Sequence, residues 1–73
     1  MPADLQPIDT AYIKLDSLLK LANLVMSGGE AKQVIQDGLV TVNGQVETRR
    51  GRKLYPGDLL QLKGHPPIRL IEV

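Results

Sequence analysis

The 73-residue sequence contains no cysteine, phenylalanine or tryptophan, and it has a single histidine. Without cysteine the chain forms no disulfide, thiolate metal site or cysteine nucleophile, and one histidine excludes a zinc site built on several histidines. No apolar run is long enough to span a membrane, and the first ten residues show no signal-peptide pattern. We therefore expect a cytoplasmic protein without cofactor, metal or membrane partner.

Aromatic side chains are almost absent, since Tyr12 and Tyr55 are the only two. This scarcity argues against RNA recognition by base stacking on an aromatic sheet or in a single-strand groove. Tyr55 precedes Pro56, and we interpret it as a packing residue at a turn.

Catalytic motifs are also missing. His65 stands between Gly64 and Pro66, which favours an exposed turn histidine over a general base. The pair Gly28-Gly29 lacks the Lys-Thr of a phosphate-binding loop and the three-glycine spacing of a dinucleotide site. Such a short chain also offers little room for a ligand cavity. We therefore predict a protein that is not an enzyme and binds no small-molecule substrate.

Charge is balanced overall but uneven along the chain. The formal net charge is +1, yet residues 14–63 carry eight basic against five acidic residues. Four basic residues fall within the segment of residues 48–53, which we call the basic segment: Arg49, Arg50, Arg52 and Lys53. Because the local field governs the binding of a polyanion, this segment is a candidate for contacts with phosphates, although a charge run is equally often a solvated loop.

Two short helices are predicted. Leu15, Leu18, Leu19 and Ala22 recur with the helical period and indicate a helix from Leu15 to Asn23. A second helix, Gly28 to Asp37, begins at a capping box in which Ser27 accepts from the Glu30 amide and the Glu30 carboxylate reaches the Ser27 amide. Gly38 is placed to end it in a left-handed cap.

Strand patterns dominate the remainder. Residues 12–14 form a possible short strand, and Val40 and Val42 begin a hairpin at Asn43-Gly44. A two-residue turn would pair Val42 with Gln45, whereas a three-residue loop would pair Val42 with Val46 and bury both valines. We favour the longer loop because the buried face usually sets the register. Residues 59–62 and 68–73 are predicted as further strands.

The predicted fold class is α+β, with two short helices packed on a small, mostly antiparallel sheet of three to five strands. Residues 1–10 contain two prolines and two aspartates, which indicate a flexible N-terminal lead-in. Residues 11–73 then form a single domain, and we expect a monomer.

The order of the motifs resembles a known family. The segments at residues 15–20, 27–32, 38–44 and 56–58 together are similar to the RNA-binding module of ribosomal protein S-four. The segments Gly28–Lys32 and Glu47–Arg50 resemble its stand-alone YbcJ/YaaA-like branch. The resemblance covers residues 12–63 and implies an alpha-L motif of two helices on a small sheet.

The resemblance also implies a function, namely binding to structured RNA such as ribosomal RNA or transfer RNA. The matching phosphate-contacting positions are Lys14, Lys20 and Lys32. Many members have an arginine after the capping serine, where this chain has Gly28. We expect the basic segment to replace that contact, and Gly28 and Gly29 to let RNA approach the second helix.

The hypothesis is therefore a non-catalytic RNA-binding protein that contacts phosphates of structured RNA, in the ribosome or its assembly intermediates. The expected RNA-binding residues are Lys14, Lys20, Gly28, Gly29, Lys32, Arg49, Arg50, Arg52 and Lys53. The main alternative is a ribosome-associated protein–protein interaction module whose basic segment meets an acidic protein surface. A small enzyme or accessory subunit is the third, least favoured reading.

Overall fold

The structure, a computed structural model, describes residues 3–73. Within that range the chain forms two helices, α1 (Leu15–Leu21) and α2 (Gly28–Gln36), together with seven strands. The strands are β1 (Asp4–Ile8), β2 (Ile13–Lys14), β3 (Val40–Val42), β4 (Gln45–Val46), β5 (Lys53–Leu54), β6 (Leu59–Leu62) and β7 (Ile68–Glu72).

The main sheet has the strand order β1-β7-β6-β3-β4, and a separate two-stranded sheet is formed by β2 and β5. All pairings are antiparallel except that of β1 with β7, which is parallel. The α+β prediction is confirmed: two helices accompany a mostly antiparallel sheet of five strands, and the β2–β5 pair adds a second, smaller sheet.

One hydrophobic core joins the helices to both sheets. The helices contribute Leu15, Leu18, Leu19, Ala31 and Ile35, all fully buried. The strands contribute Ile8, Val40, Val42, Leu54, Leu60, Leu62 and Leu70. Because Leu54 of the small sheet lies in the same cluster as the helix leucines, the small sheet is held against α1 by apolar burial.

Helix α1 ends earlier than the predicted Asn23. Asn23 instead adopts a left-handed conformation with φ 59°. Its amide donates to the Lys20 carbonyl, and the Leu24 amide donates to the Leu19 carbonyl. These two bonds are those of a Schellman cap, which asparagine tolerates better than most residues outside glycine.

Helix α2 has the predicted caps with one difference. The Ser27 hydroxyl accepts from the Glu30 amide at 3.1 Å, but the Glu30 carboxylate accepts from the Met26 amide rather than from Ser27. At the other end Gly38 has φ 75°, as predicted for a left-handed C-terminal residue. The helix itself ends at Gln36, one residue before the predicted Asp37.

The preference for a three-residue hairpin loop is wrong. Val42 pairs with Gln45 and Thr41 with Val46, so Asn43 and Gly44 form a two-residue turn in which both have positive φ, 53° and 85°. This turn matches the right-handed twist of the strands. Val46 is consequently 61% exposed, because the geometry of the turn outweighs the burial of one valine.

The prediction of a flexible lead-in over residues 1–10 fails for residues 4–8, and residues 1–2 lie outside the described residues. Asp4–Ile8 form strand β1, which pairs with β7 from Asp4 opposite Ile68 to Ile8 opposite Glu72. Ile8 is buried in the core. Pro7 is compatible with this strand because β1 is at the edge of the sheet, where a missing amide hydrogen is tolerated.

Candidate nucleic-acid interface

The basic segment crosses the beginning of helix α1. The Leu15 amide donates to the Arg52 carbonyl at 2.9 Å, and the Asp16 amide donates to the Arg50 carbonyl at 3.1 Å. The first amides of a helix have no hydrogen-bond acceptor within the helix. Two backbone carbonyls of the basic segment supply acceptors for two of these amides. The backbone of residues 50–52 is thereby fixed next to the residues that open α1.

Two lysines face each other on the small sheet. Lys14 of β2 is the direct cross-strand partner of Lys53 of β5, and both side chains are exposed. Within residues 3–73 neither lysine forms a salt bridge. Like charges placed directly opposite each other disfavour the sheet slightly, and together they form a local positive potential that attracts an anion.

A buried carboxylate organises the arginines. Glu47 is 6% exposed, and its Oε2 accepts from the amides of Thr48 and Arg49 and from Arg49 Nε. Its Oε1 accepts from Arg49 Nη2 at 3.0 Å and from Arg52 Nη1 at 2.9 Å. The side-chain hydrogen bond from Arg49, aided by those from Arg52 and the Arg49 amide, lowers the pKa of Glu47 from 4.5 to about 2, against the opposing effect of its burial.

A second carboxylate meets Arg50. Asp16 Oδ2 lies 3.6 Å from Arg50 Nε, while Asp16 Oδ1 accepts from the Ser17 amide. Lys20 is four residues beyond Asp16 on α1, and residues at that spacing share a helix face. Lys20 is exposed, so it extends the positive surface by one helical turn from the Asp16–Arg50 pair.

The three arginines of the basic segment are therefore ion-paired, which the charge pattern of the sequence alone did not predict. Arg49 and Arg52 share Glu47, and Arg50 meets Asp16. Counted with Lys14 and Lys53, five cations lie beside two carboxylates, which leaves a local excess of three positive charges. The surface remains cationic: its two lysines carry two of these charges, and the third arises because Arg49 and Arg52 share one carboxylate.

The remaining expected residues are on α2. Lys32, Gly28 and Gly29 are all exposed. A Cβ placed on Gly28 would have no other residue within 4 Å, apart from its chain neighbours and the backbone of its own helix. A Cβ placed on Gly29 would meet only the Ser27 hydroxyl within that distance. Helix α2 packs against α1, but among residues 3–73 no salt bridge or side-chain hydrogen bond joins Lys32 to the basic segment.

Sequence reasoning missed two polar contacts that shape this region. Glu47 was considered only as part of the segment Glu47–Arg50 that resembles the family, although an acidic residue directly before Thr-Arg-Arg-Gly-Arg is a signal for local charge pairing. Asn43 donates to Asp58 Oδ1 and accepts from the Leu59 amide at 2.9 Å, so the hairpin turn is bound to the turn before β6. Asn43 therefore has a structural role in this fold.

Other kinds of site have no support in the described part of the chain. Within residues 3–73 no three His, Cys, Asp or Glu side chains are grouped as metal ligands would be. Every buried side-chain nitrogen or oxygen in that range has a hydrogen-bond partner. Of the two helices, neither is long and apolar enough to cross a membrane. His65 is exposed in the turn between β6 and β7.

Comparisons with known proteins agree with this geometry. A family model described as the S4 domain matches residues 6–69. The probable ribosome maturation protein RlbA of Bacillus subtilis is 42% identical over 64 residues, covering 88% of this chain and 90% of RlbA. The putative RNA-binding protein YbcJ of Escherichia coli is 41% identical over 54 residues, covering 74% of this chain and 77% of YbcJ.

A solved structure is similar as well. The solution structure of YbcJ from Escherichia coli, described as revealing an αL motif involved in RNA binding, superimposes with a TM-score of 0.72 at 30% identity. The match covers 97% of this chain and 90% of that one. The predicted resemblance to the stand-alone branch of the family is thereby confirmed.

Proposed function

The chain belongs to the S4 domain family, and from this premise we propose that it binds structured RNA, without catalysis, through a cationic surface at the start of α1. The observation that carries the proposal is the position of Lys14 opposite Lys53, beside a basic segment whose backbone is bonded to α1. Contacts to phosphates supply most of the sequence-independent affinity for nucleic acids. The surface fits the backbone of a folded RNA better than it fits base edges.

The paired arginines contribute donors as well as shape. Arg49 uses Nε and Nη2 on Glu47, and Arg52 uses Nη1. A guanidinium carries five N–H donors, so each of these side chains keeps donors for a phosphate after its ion pair has formed. Because the Glu47 contacts hold the two guanidinium groups in place, less side-chain entropy is lost when RNA binds.

The proposed footprint extends along both helices. Lys20 continues the surface on α1, and Lys32 adds a cation on α2. Gly28 and Gly29 have no side chains, which leaves the first turn of α2 accessible to a sugar–phosphate backbone. The proposed RNA-contacting set is therefore Lys14, Lys20, Gly28, Gly29, Lys32, Arg49, Arg50, Arg52 and Lys53.

The relatives support a biological setting for this activity. One is named a probable ribosome maturation protein and another a putative RNA-binding protein. We propose that this chain acts as a monomer in the cytoplasm on ribosomal RNA, or on transfer RNA, and that its role lies in maturation of the ribosome.

A salt titration with single lysine variants tests the proposal. Binding to a folded transfer RNA transcript and to a ribosomal RNA fragment is measured at several salt concentrations for the wild type and for Lys14→Ala, Lys53→Ala and Lys63→Ala. Each lost phosphate contact flattens the slope of log affinity against log salt by roughly 0.7–0.9. Lys63 is the matched control, because it is an exposed lysine that follows β6 in the main sheet.

The outcomes separate the alternatives. Flattened slopes for Lys14→Ala and Lys53→Ala, with the wild-type slope for Lys63→Ala, support the proposed surface. Equal slopes for all variants contradict it. Heparin serves as a polyanion that is not RNA. If the wild type binds both RNAs no more tightly than it binds heparin, and the immobilised chain retains a protein, the protein–protein alternative replaces RNA binding.

A further inference from the structure

The two aromatic residues of the chain lie side by side. The ring centroids of Tyr12 and Tyr55 are 6.1 Å apart, with the ring planes inclined at 52°. Ile13 pairs with Leu54 on the antiparallel β2–β5 ladder, so the residue before β2 and the residue after β5 are the next to meet. The small sheet therefore gathers both tyrosines, 43 residues apart in the sequence, at one end.

These rings are not part of the hydrophobic core. Tyr12 is 39% exposed and Tyr55 is 49% exposed, and the core beneath the small sheet is supplied by Leu54 and the leucines of α1. A shallow and largely apolar groove continues from Tyr12 past Ile13 to Leu21. Tyr12 and Tyr55 thus present aromatic surface to solvent in a protein that has no other aromatic side chain.

Cations border this aromatic surface. Lys53 Nζ lies 4.7 Å from the centroid of the Tyr12 ring, and Lys14 is the cross-strand partner of Lys53. The ammonium of Lys53 lies over one face of Tyr12 as a cation–π contact, and neither Lys14 nor Lys53 is in a salt bridge within residues 3–73. Proteins hold a nucleotide outside a duplex by combining aromatic faces with lysines, since the ring stacks on the base and the cation meets the phosphate. A base pair inside a duplex has both faces covered by its neighbours, whereas an unpaired base can expose a whole face to the tyrosines.

We propose that Tyr12 and Tyr55 form a stacking site for one unpaired nucleobase of the bound RNA, with Lys14 and Lys53 on its flanking phosphates. This inference rests on the proposed function and adds a ligand class to it: a duplex that ends in, or is interrupted by, a single-stranded nucleotide. Stacking tolerates every base, because each has a π-face. The site therefore selects RNA architecture rather than sequence, which revises the sequence-based expectation that stacking has no part in binding.

Intrinsic fluorescence offers a direct test, since the chain has two tyrosines and no tryptophan. The probes are an RNA hairpin whose two strands are joined by a non-nucleotide linker and which carries a single-stranded uridine tail, and the same linker-closed hairpin with a blunt end. Saturation with the tailed hairpin is expected to quench the tyrosine emission strongly, and saturation with the blunt hairpin only weakly. Equal emission with both saturating probes overturns the stacking site.

Substitutions give an independent measurement. In the wild type we expect the tailed hairpin to bind about tenfold more tightly than the blunt one, and Tyr12→Leu with Tyr55→Leu to abolish this difference. Tyr12→Phe with Tyr55→Phe retains both rings and is expected to keep it. Loss of the preference in the Phe variant as well indicates hydroxyl hydrogen bonds and overturns stacking. Thermal unfolding verifies that each variant is folded. If the Leu variant does not fold, the fluorescence test on the wild type alone decides between the outcomes.

The design separates this inference from the function on which it rests. Strong binding of both hairpins without preference contradicts the stacking site and leaves RNA binding intact. If the chain binds neither hairpin more tightly than it binds heparin, the proposed function itself is contradicted. If a proline-rich or arginine-rich peptide quenches the tyrosines and the tailed hairpin does not, the site serves a protein ligand and the proposal is wrong.

Discussion

Glu47 and Arg49 form a two-point ion pair across a single intervening residue. Arg49 Nη2 lies 3.0 Å from Oε1 and Arg49 Nε lies 3.1 Å from Oε2, while the Arg49 amide donates to the same Oε2. Both planar groups are therefore fixed by the local chain. The carboxylate is buried and the guanidinium mostly exposed, so the pair presents its positive partner to solvent.

The first prediction concerns the stability contributed by this carboxylate. Glu47→Gln keeps the size of the side chain but removes its charge and replaces one acceptor oxygen with an NH2 donor. We expect the free energy of unfolding to fall by about 2 kcal/mol, because several charge-assisted hydrogen bonds are weakened together. Urea denaturation measures the change. Glu72→Gln, an exposed substitution on β7, is the matched control and should leave the midpoint unchanged.

The second prediction concerns pH. The pKa of Glu47 in the folded chain is lowered from 4.5 to about 2 by its bonds to Arg49 and Arg52. Between these values the unfolded state binds more protons than the folded state, so the contribution is complete above about pH 4.5 and disappears as the pH falls toward 2. The stability difference between wild type and Glu47→Gln should shrink across that window. A difference that stays constant from neutral pH to pH 2 contradicts the assignment.

The third prediction separates the backbone and side-chain roles of Asn43. Asn43 has φ 53°, and its side chain bridges Asp58 and the Leu59 amide. Asn43→Gly removes the bridge but allows the positive φ, whereas Asn43→Ala removes the bridge and strains the backbone. We expect Ala to be less stable than Gly by about 1 kcal/mol, and RNA affinity of the folded variants to be unchanged. Equal stabilities in urea denaturation would show that the turn is unstrained.

The fourth prediction concerns the carboxylate that offsets Arg50. Asp16→Asn removes a negative charge from the proposed interface, and its amide oxygen can still accept from the Ser17 amide as Asp16 Oδ1 does. We expect tighter binding of a transfer RNA transcript by about 0.2–1 kcal/mol, the range for an ion pair at the protein surface. The gain should vanish in high salt. Glu72→Gln makes the same change of charge in the main sheet, and an equal gain there would point to net charge rather than to this site.

Local signals in the sequence were sufficient to predict both helices and the residues that cap α2, but they placed the end of α1 at Asn23 instead of Leu21. Ser27 and Gly38 mark the ends of α2 because a hydroxyl cap and a left-handed glycine act over three or four residues. The hairpin register was mispredicted for a related reason: Asn43-Gly44 carries its own turn geometry, and the preference for burying Val46 was given too much weight.

Long-range partners could not be predicted in the same way. Strand β1 depends on β7, which is 64 residues later at the paired positions Asp4 and Ile68, and no local pattern encodes that pairing. The same applies to Arg50 and Asp16, and to the two tyrosines. Sequence reasoning found the cations of the candidate site, whereas only the folded chain shows which of them meet a carboxylate.

The parallel pairing of β1 with β7 also bears on the order of folding. Closing so long a loop costs entropy that must be offset by the contacts made afterwards. The packing of α1 on α2, the β3–β4 turn and the β2–β5 pair involve partners within residues 13–54, whereas β3 also pairs with the later strand β6. These shorter loops close at a lower entropic cost, so we expect β1 and β7 to complete the main sheet after the other elements have formed.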